Sequence, residues 1–346
     1  MNYFATPLFK KIRIAFTAIL TTLSANLLPS LAHADYTQHP AYKAFAEQLE
    51  KQDGFSRAQL NSLFATANRQ DKILEAISRP IEQTKQWADY KKIFLTQARI
   101  DGGVQFWKQN AAVIQRASQQ YGVEPEIIVA IIGVETQYGK NKGSWRVLDA
   151  LATLAFDYPK RSKFFTEELR QFLLMAREDN VDPAKAVGSY AGAMGYGQFM
   201  PSSYRSYAVD FDGDHVVDIM NNTTDAIGSV ANYFNKHGWI KGDAVISPII
   251  FARGTALNSP EIDQLWAKEL KPVTTLGEFA KMGLNSGNGL PAQEKVSTLR
   301  LLGDEGFEYW FTLNNFFVIS KYNRSPLYCM AVYQLSQAIR QAYSRQ

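Results

Sequence analysis

Ile127-Ile128-Val129-Ala130-Ile131-Ile132-Gly133-Val134-Glu135-Thr136-Gln137-Tyr138-Gly139 is the stretch from which the rest of the chain is read. A run as apolar as Ile127 to Val134 is buried on all sides. The carboxylate that ends it therefore enters a poorly solvated place. Desolvation disfavours the charged form, so Glu135 is expected to hold a proton near neutral pH, which is what a general acid needs. The ordinary alternative is a glutamate at a helix end facing water. Pro125 suits the first turn of the helix that carries the run, where its missing N–H is no loss. Gly139 reads as the C-terminal stop.

Outward from this helix, apolar spacing predicts helices on both sides. Residues 42–116 read as helical on the spacing of Phe45, Leu49, Leu60, Leu63 and Phe64, with a break at Arg79-Pro80. Trp87 to Phe94 and Val104 to Ala117 continue the pattern. Val147 to Ala155, Phe164 to Ala176, Thr224 to His237 and Pro326 to Ala342 are further helices. Between 241 and 300 the texture changes to short apolar pieces interrupted by Pro248, Pro260, Pro272 and Pro291, which predicts a small β-containing unit. Tyr309 to Leu313 and Phe316 to Ile319 read as strands. The expected organisation is a leader (1–34), an N-terminal helical region (35–115), a helical core (116–240), the β-containing unit (241–305) and a closing segment (306–346). The fold class is mainly α, or α+β.

Lys10, Lys11 and Arg13, the apolar stretch Ile14 to Leu28, and Ala32-His33-Ala34 have the layout of a cleaved secretory leader, with Asp35 as the mature start. Formal net charge is +4, and the leader holds three positive and no acidic residues, so the remainder is near +1. That excludes a nucleic-acid binder defined by charge. The single cysteine, Cys329, excludes an intrachain disulfide and leaves no thiol for lipidation at the cleavage point. No stable membrane insertion is expected after leader removal. The aromatic content of 13% serves cores, and it also suits clefts where rings stack on sugars.

Gly188-Ser189-Tyr190-Ala191-Gly192-Ala193-Met194-Gly195-Tyr196-Gly197-Gln198-Phe199-Met200-Pro201 is a glycine-rich loop that lets backbone approach a ligand closely. With Gly133-Val134-Glu135-Thr136, Leu148 to Leu154, Asp225 to Tyr233, His237-Gly238-Trp239 and Tyr322-Asn323-Arg324-Ser325, it resembles the lytic murein transglycosylase B family, in its soluble form. The resemblance implies a lysozyme-like helical core with an additional helical region and a small β-containing insertion. It implies cleavage of the β-1,4 bond between N-acetylmuramic acid and N-acetylglucosamine without water, leaving a 1,6-anhydromuramoyl end. Glu135 would act first as acid and then as base. By position, the family pattern makes Ser189 and Gln198 polar sugar contacts. Phe199 and Tyr233 become stacking or cleft-wall residues, and Tyr322, Asn323 and Tyr328 line the cleft. Arg161 would meet a stem-peptide carboxylate, and Tyr90 is a further cleft candidate. For the aromatics, core packing is the alternative.

Asp210-Phe211-Asp212-Gly213-Asp214-His215-Val216-Val217-Asp218 resembles the opening of an EF-hand loop, in which alternate carboxylates converge on a hard cation. Asp210, Asp212 and Asp214 would offer side chains, Val216 its carbonyl, and Asp218 a direct or water-bridged contact. Glycine stands fourth rather than sixth, His215 holds the sixth position, and Asn221 replaces the closing glutamate. Asp225 resembles the family's substitute acidic ligand. A structural calcium ion is the expected occupant, a solvated acidic turn the alternative. No cofactor for the chemistry is expected.

The expected function is therefore a periplasmic peptidoglycan lytic transglycosylase whose partners are glycan strands and cell-wall enzyme complexes. A hydrolytic muramidase, a non-catalytic wall-binding protein and a calcium-dependent scaffold are the alternatives.

Overall fold

In the computed structural model, which describes residues 35–78, 85–255, 260–266 and 270–345, the apolar run 127–134 is buried throughout. The leader and the Arg79-Pro80 break lie outside the described residues. Leading to the run are α1 (Pro40–Asp53), α2 (Arg57–Phe64), α3 (Asp71–Ile77), α4 (Trp87–Phe94), α5 (Gln97–Gln109) and α6 (Ala111–Tyr121). The single helix expected over Val104 to Ala117 is two, broken at Asn110, whose side-chain amide donates to the Phe106 carbonyl at 2.8 Å. Asparagine competes in this way with helix hydrogen bonds and favours an end.

The run itself is α7 (Pro125–Thr136), with proline in its first turn as predicted. Its stop comes earlier than Gly139. Gln137 and Tyr138 both turn left-handed, at φ 51° and 63°. Their N–H groups return to the Gly133 and Ile132 carbonyls at 3.2 and 3.3 Å, which closes the helix end. The Tyr138 ring folds under the last turn, where its hydroxyl donates to the Arg99 carbonyl at 2.7 Å. Gly133 makes room for it, since an added Cβ would stand 2.6 Å from that hydroxyl.

After β1 (Trp145–Arg146) come α8 (Val147–Phe156) and α9 (Ser162–Glu178), close to the predicted bounds. Arg170 on α9 grips Asp53 at the end of α1 through bonds of 2.6 and 2.8 Å. Next are β2 (Val187–Gly188), α10 (Pro201–Tyr207) and α11 (Thr223–Lys236). β1 and β2 form an antiparallel pair, Trp145 opposite Gly188, and this fastens the entry of the glycine-rich loop.

The β-containing unit holds β3 (Ile246–Phe251), α12 (Pro260–Asp263), β4 (Thr274–Thr275), α13 (Leu276–Lys281), β5 (Leu284–Ser286), β6 (Lys295–Gly303) and β7 (Gly306–Thr312). The sheet runs β4-β6-β7-β3-β5 with every pairing antiparallel. Ile249, Leu276, Phe279, Leu284, Val296 and Phe311 form its own small core. The boundary expected at 305/306 cuts the β6–β7 hairpin, so the unit extends to Thr312.

Phe316 to Ile319 are not a strand. They lie in α14 (Asn314–Tyr322), followed by α15 (Pro326–Ser344). The aromatic, β-branched composition suggests sheet, but Asn315, Phe316, Val318, Ile319 and Ser320 are buried while Asn314, Phe317 and Lys321 face outward, which is helical spacing. Asn315 sets the helix start, its side-chain oxygen accepting from Ile240 N–H at 2.9 Å and its amide donating to the Ile240 carbonyl at 2.7 Å. No helix among the described residues is long and apolar enough to cross a membrane.

Candidate active site

Glu135 sits on the last turn of α7, half-buried. Opposite it, α15 begins with Pro326 and is capped by Ser325, which aims Tyr328 in the first turn back at α7. The Tyr328 hydroxyl donates to Glu135 Oε1 at 2.5 Å. Tyr322, at the end of α14, donates to the Gly197 carbonyl at 2.5 Å. Burial pushes both phenols well above their ordinary pKa, and the charge of Glu135 adds to the shift. Both therefore stay protonated donors at any working pH. Tyr328 is thus a fixed donor on one carboxylate oxygen, and Tyr322 a fixed donor on the glycine-rich loop.

That loop is tied to α7 through Thr136. The Thr136 hydroxyl lies 2.9 Å from the Tyr196 carbonyl and 3.1 Å from the Ile132 carbonyl, and it accepts from Gly139 N–H at 2.9 Å. Ser189 accepts from Ala191 and Ala193 N–H at 3.3 and 3.0 Å, so its hydroxyl shapes the loop. Gln198 takes a left-handed φ of 51°. Its amide donates to the Gly195 and Lys142 carbonyls at 2.9 and 3.1 Å, which fixes the direction of its side chain. Gly143, at φ 91°, abuts Gly188, and an added Cβ would overlap the Gly188 carbonyl group. Gly143→Ala is expected to cost roughly 1–3 kcal/mol by backbone strain and overpacking. Thermal unfolding measures this, with a fall in activity greater than the loss of folded protein because Ser189 follows Gly188.

Of the stacking and cleft-wall roles expected for Phe199 and Tyr233, burial favours the wall. Phe199 and Tyr233 are only 2% and 6% exposed, so neither offers a ring face to a sugar. They pack with Tyr322 in an aromatic cluster, and Tyr233 donates to the Lys321 carbonyl at 2.7 Å. They form the wall behind the site. Tyr90 is likewise buried, on α4 with its ring against Phe94. Asn323 closes α14 and accepts from Ser325 N–H at 3.0 Å, setting the turn into α15. Arg161 is exposed at the head of α9, its guanidinium over the Phe164 and Phe165 rings at 4.3 and 5.2 Å. Lys142 and Gly143 have no part in the sequence reading, and Thr136 enters it only as a motif member, because their work is done by a carbonyl, a missing side chain and a hydroxyl.

In the acidic loop, Asp210, Asp212 and Asp214 bring carboxylate oxygens within 4.8 Å of one another. His215 supplies the left-handed turn itself, at φ 71°, and its N–H donates to Asp210 at 2.8 Å. The departure from glycine at that position is thus accommodated. The triad suits a hard cation by charge and oxygen donors. Val216 is exposed, and its N–H donates to Asp214 at 2.8 Å. Asp218 accepts from Met220 and Asn221 N–H, both at 2.9 Å. Asp225 is fully buried, and its two oxygens accept from Phe211 and Asp218 N–H at 2.7 and 2.8 Å. It closes the loop from behind.

A helical core that presents one phenol-anchored carboxylate beside a glycine-rich loop defines a glycan-cleaving enzyme of lysozyme-like build. Residues 37–337 match the Transglycosylase SLT domain family. Membrane-bound lytic murein transglycosylase B of Escherichia coli (strain K12) is 43% identical over 314 residues, covering 88% of this chain and 84% of that protein. The crystal structure of soluble lytic transglycosylase SltB1 from Pseudomonas aeruginosa superposes with TM-score 0.82 at 50% identity, over 88% of this chain and all of that one. An Escherichia coli lytic transglycosylase solved in complex with calcium gives TM-score 0.81 at 43% identity, over 90% and 96% of the two chains. SltB3 from Pseudomonas aeruginosa, solved with NAG-anhNAM-pentapeptide, gives 0.72 at 31% identity, over 86% and 78%. The chain belongs to the lytic murein transglycosylases of the SLT family.

Proposed function

We propose that Glu135 is the single acid and base of this transglycosylase. It gives its proton to the glycosidic oxygen between N-acetylmuramic acid and N-acetylglucosamine. The C1–O bond breaks with its electron pair on the departing oxygen. The carboxylate then takes the proton of the muramoyl C6 hydroxyl as O6 bonds to C1, and the 1,6-anhydro ring closes. Atoms balance with no water consumed. Ordinary glycosidases need two carboxylates, one of them to activate water or to attack. An internal nucleophile removes that need, so one residue returned to its starting state suffices.

The observation that carries this reading is the Glu135–Tyr328 pair. A donor that does not ionise holds one carboxylate oxygen in place through both proton transfers. Ser189 and Gln198 present the loop to the sugar, and Arg161 is the exposed cation suited to a stem-peptide carboxylate. The SltB3 complex with an anhydro-sugar pentapeptide supports the same substrate class for this chain. Action in the periplasm, after removal of residues 1–34, follows from the substrate and the leader pattern. The test is the mass of fragments released from purified sacculi. Anhydro ends are expected, lighter by one water than reducing ends.

We also take the Asp210, Asp212 and Asp214 cluster as a calcium site, supported by the calcium complex of the Escherichia coli relative. The ion would offset two of the three carboxylate charges and brace the loop, without touching the reacting atoms. Calcium at about 100 times its dissociation constant is expected to add about 2.7 kcal/mol of stability. The measurement is thermal unfolding with chelator against calcium. An Asp212→Asn chain should lose most of the difference.

A further inference from the structure

A cavity of about 380 Å³ lies where the acidic loop meets the glycine-rich loop, and Lys142, Gly195, Asp218 and Met220 are among its walls. Two polar links span this boundary. One is backbone: Tyr196 N–H donates to the Ile219 carbonyl at 3.1 Å. Gly195, at φ 73°, permits it, because a Cβ there would run into that carbonyl. The other is Lys142. Its ammonium donates to the Met220 carbonyl at 2.5 Å and lies 4.7 Å from the centre of the Tyr196 ring. Its own carbonyl accepts from the Gln198 amide at 3.1 Å. One residue therefore touches Met220, two places beyond Asp218, and both Tyr196 and Gln198 in the catalytic loop. Tyr196 in turn is held by Thr136, the neighbour of Glu135. Gln198 keeps an unfavourable left-handed backbone only because its surroundings over-determine it.

We infer that Lys142 is a positioning residue, a clamp that carries the state of the acidic loop to Gln198 and Glu135. Asp218 anchors the Met220 and Asn221 N–H groups, so a cation drawing on the loop's carboxylates shifts the carbonyl that Lys142 holds. This cation-linked half rests on the calcium reading above; the clamp itself does not. Lys142→Met keeps an unbranched side chain and removes the donor and its charge. Lys142→Arg keeps a donor.

The experiment uses the full mature chain with soluble glycan fragments, first with chelator and then with calcium. Calcium binding is followed separately by calorimetry. Without calcium, Lys142→Met is expected to lower kcat about tenfold with KM within about twofold, since small misplacements of catalytic groups cost rate. Its melting temperature should stay close to wild type, and Lys142→Arg should recover most of the rate. With calcium, wild-type kcat should rise, while Lys142→Met binds the ion and shows no rise. An unchanged kcat for Lys142→Met without calcium overturns the clamp. A calcium response equal to wild type in Lys142→Met overturns the coupling. If wild type binds no calcium, the cation reading and the coupling fall together, and the calcium-free comparison still decides the clamp.

Discussion

Glu135→Gln is expected to lower the rate of sacculus digestion by about 10⁴-fold. Positioned proton transfer contributes roughly 10²–10⁴-fold for one group in one role, and here the same carboxyl serves both half-reactions. The amide keeps the shape and still accepts from Tyr328, but it neither gives nor takes the required proton. The side chain is half-buried at a helix end, so the substitution should leave the melting temperature within about 2 °C of wild type. Turbidity of a sacculus suspension measures the first effect and circular dichroism the second. A variant that still clears sacculi while folded removes Glu135 from its role.

Tyr328→Phe should produce the second-largest loss. The ring is 3% exposed and packed, so phenylalanine preserves the packing while deleting the donor to Glu135 Oε1. Hydrogen bonds to charged groups are worth about 1.5–3 kcal/mol, which corresponds to roughly a 10- to 150-fold fall in kcat. KM should hardly move, because the phenol touches the acid rather than an exposed sugar face. The pH profile adds an independent check. A raised tyrosine pKa favours the neutral form, so the donors Tyr322 and Tyr328 persist as pH rises through the ordinary phenol range. No loss of rate from phenolate formation is expected below about pH 10. A kcat for Tyr328→Phe equal to wild type would show that Glu135 holds its geometry without the phenol.

Where the sequence reading succeeded, a single local signal sufficed. The run from Ile127 to Val134, with Pro125 ahead of it, specifies one buried helix. Val147 to Ala155 and Thr224 to His237 likewise each read as one helix. Where it failed, tertiary contacts decided. Phe316 to Ile319 have strand composition, but Asn315 bonding to Ile240 starts a helix there. Gly139 looked like the stop of α7, yet Tyr138 needed to fold beneath Gly133 and ended the helix sooner. The β6–β7 hairpin pulled residues 306–312 into the sheet, because pairing partners are invisible to spacing.

The site divides in the same way. Glu135 announced itself through its greasy neighbours. Tyr328 lies 193 residues away and is reached only through the family pattern. Phe199 and Tyr233 read as stacking, cleft-wall or core residues alike, and only their burial separates these, since an aromatic residue in a motif reads the same whether it faces sugar or core. Lys142 gave no sign at all, because its carbonyl and its amine act in different directions on segments distant in sequence.

The most direct test of a lone acid–base with an internal nucleophile is digestion of sacculi in oxygen-18 water, followed by mass spectrometry of the muramoyl ends. The account predicts anhydro products carrying no label. Reducing ends that carry one heavy oxygen each, formed at the same rate as bond cleavage, would contradict it.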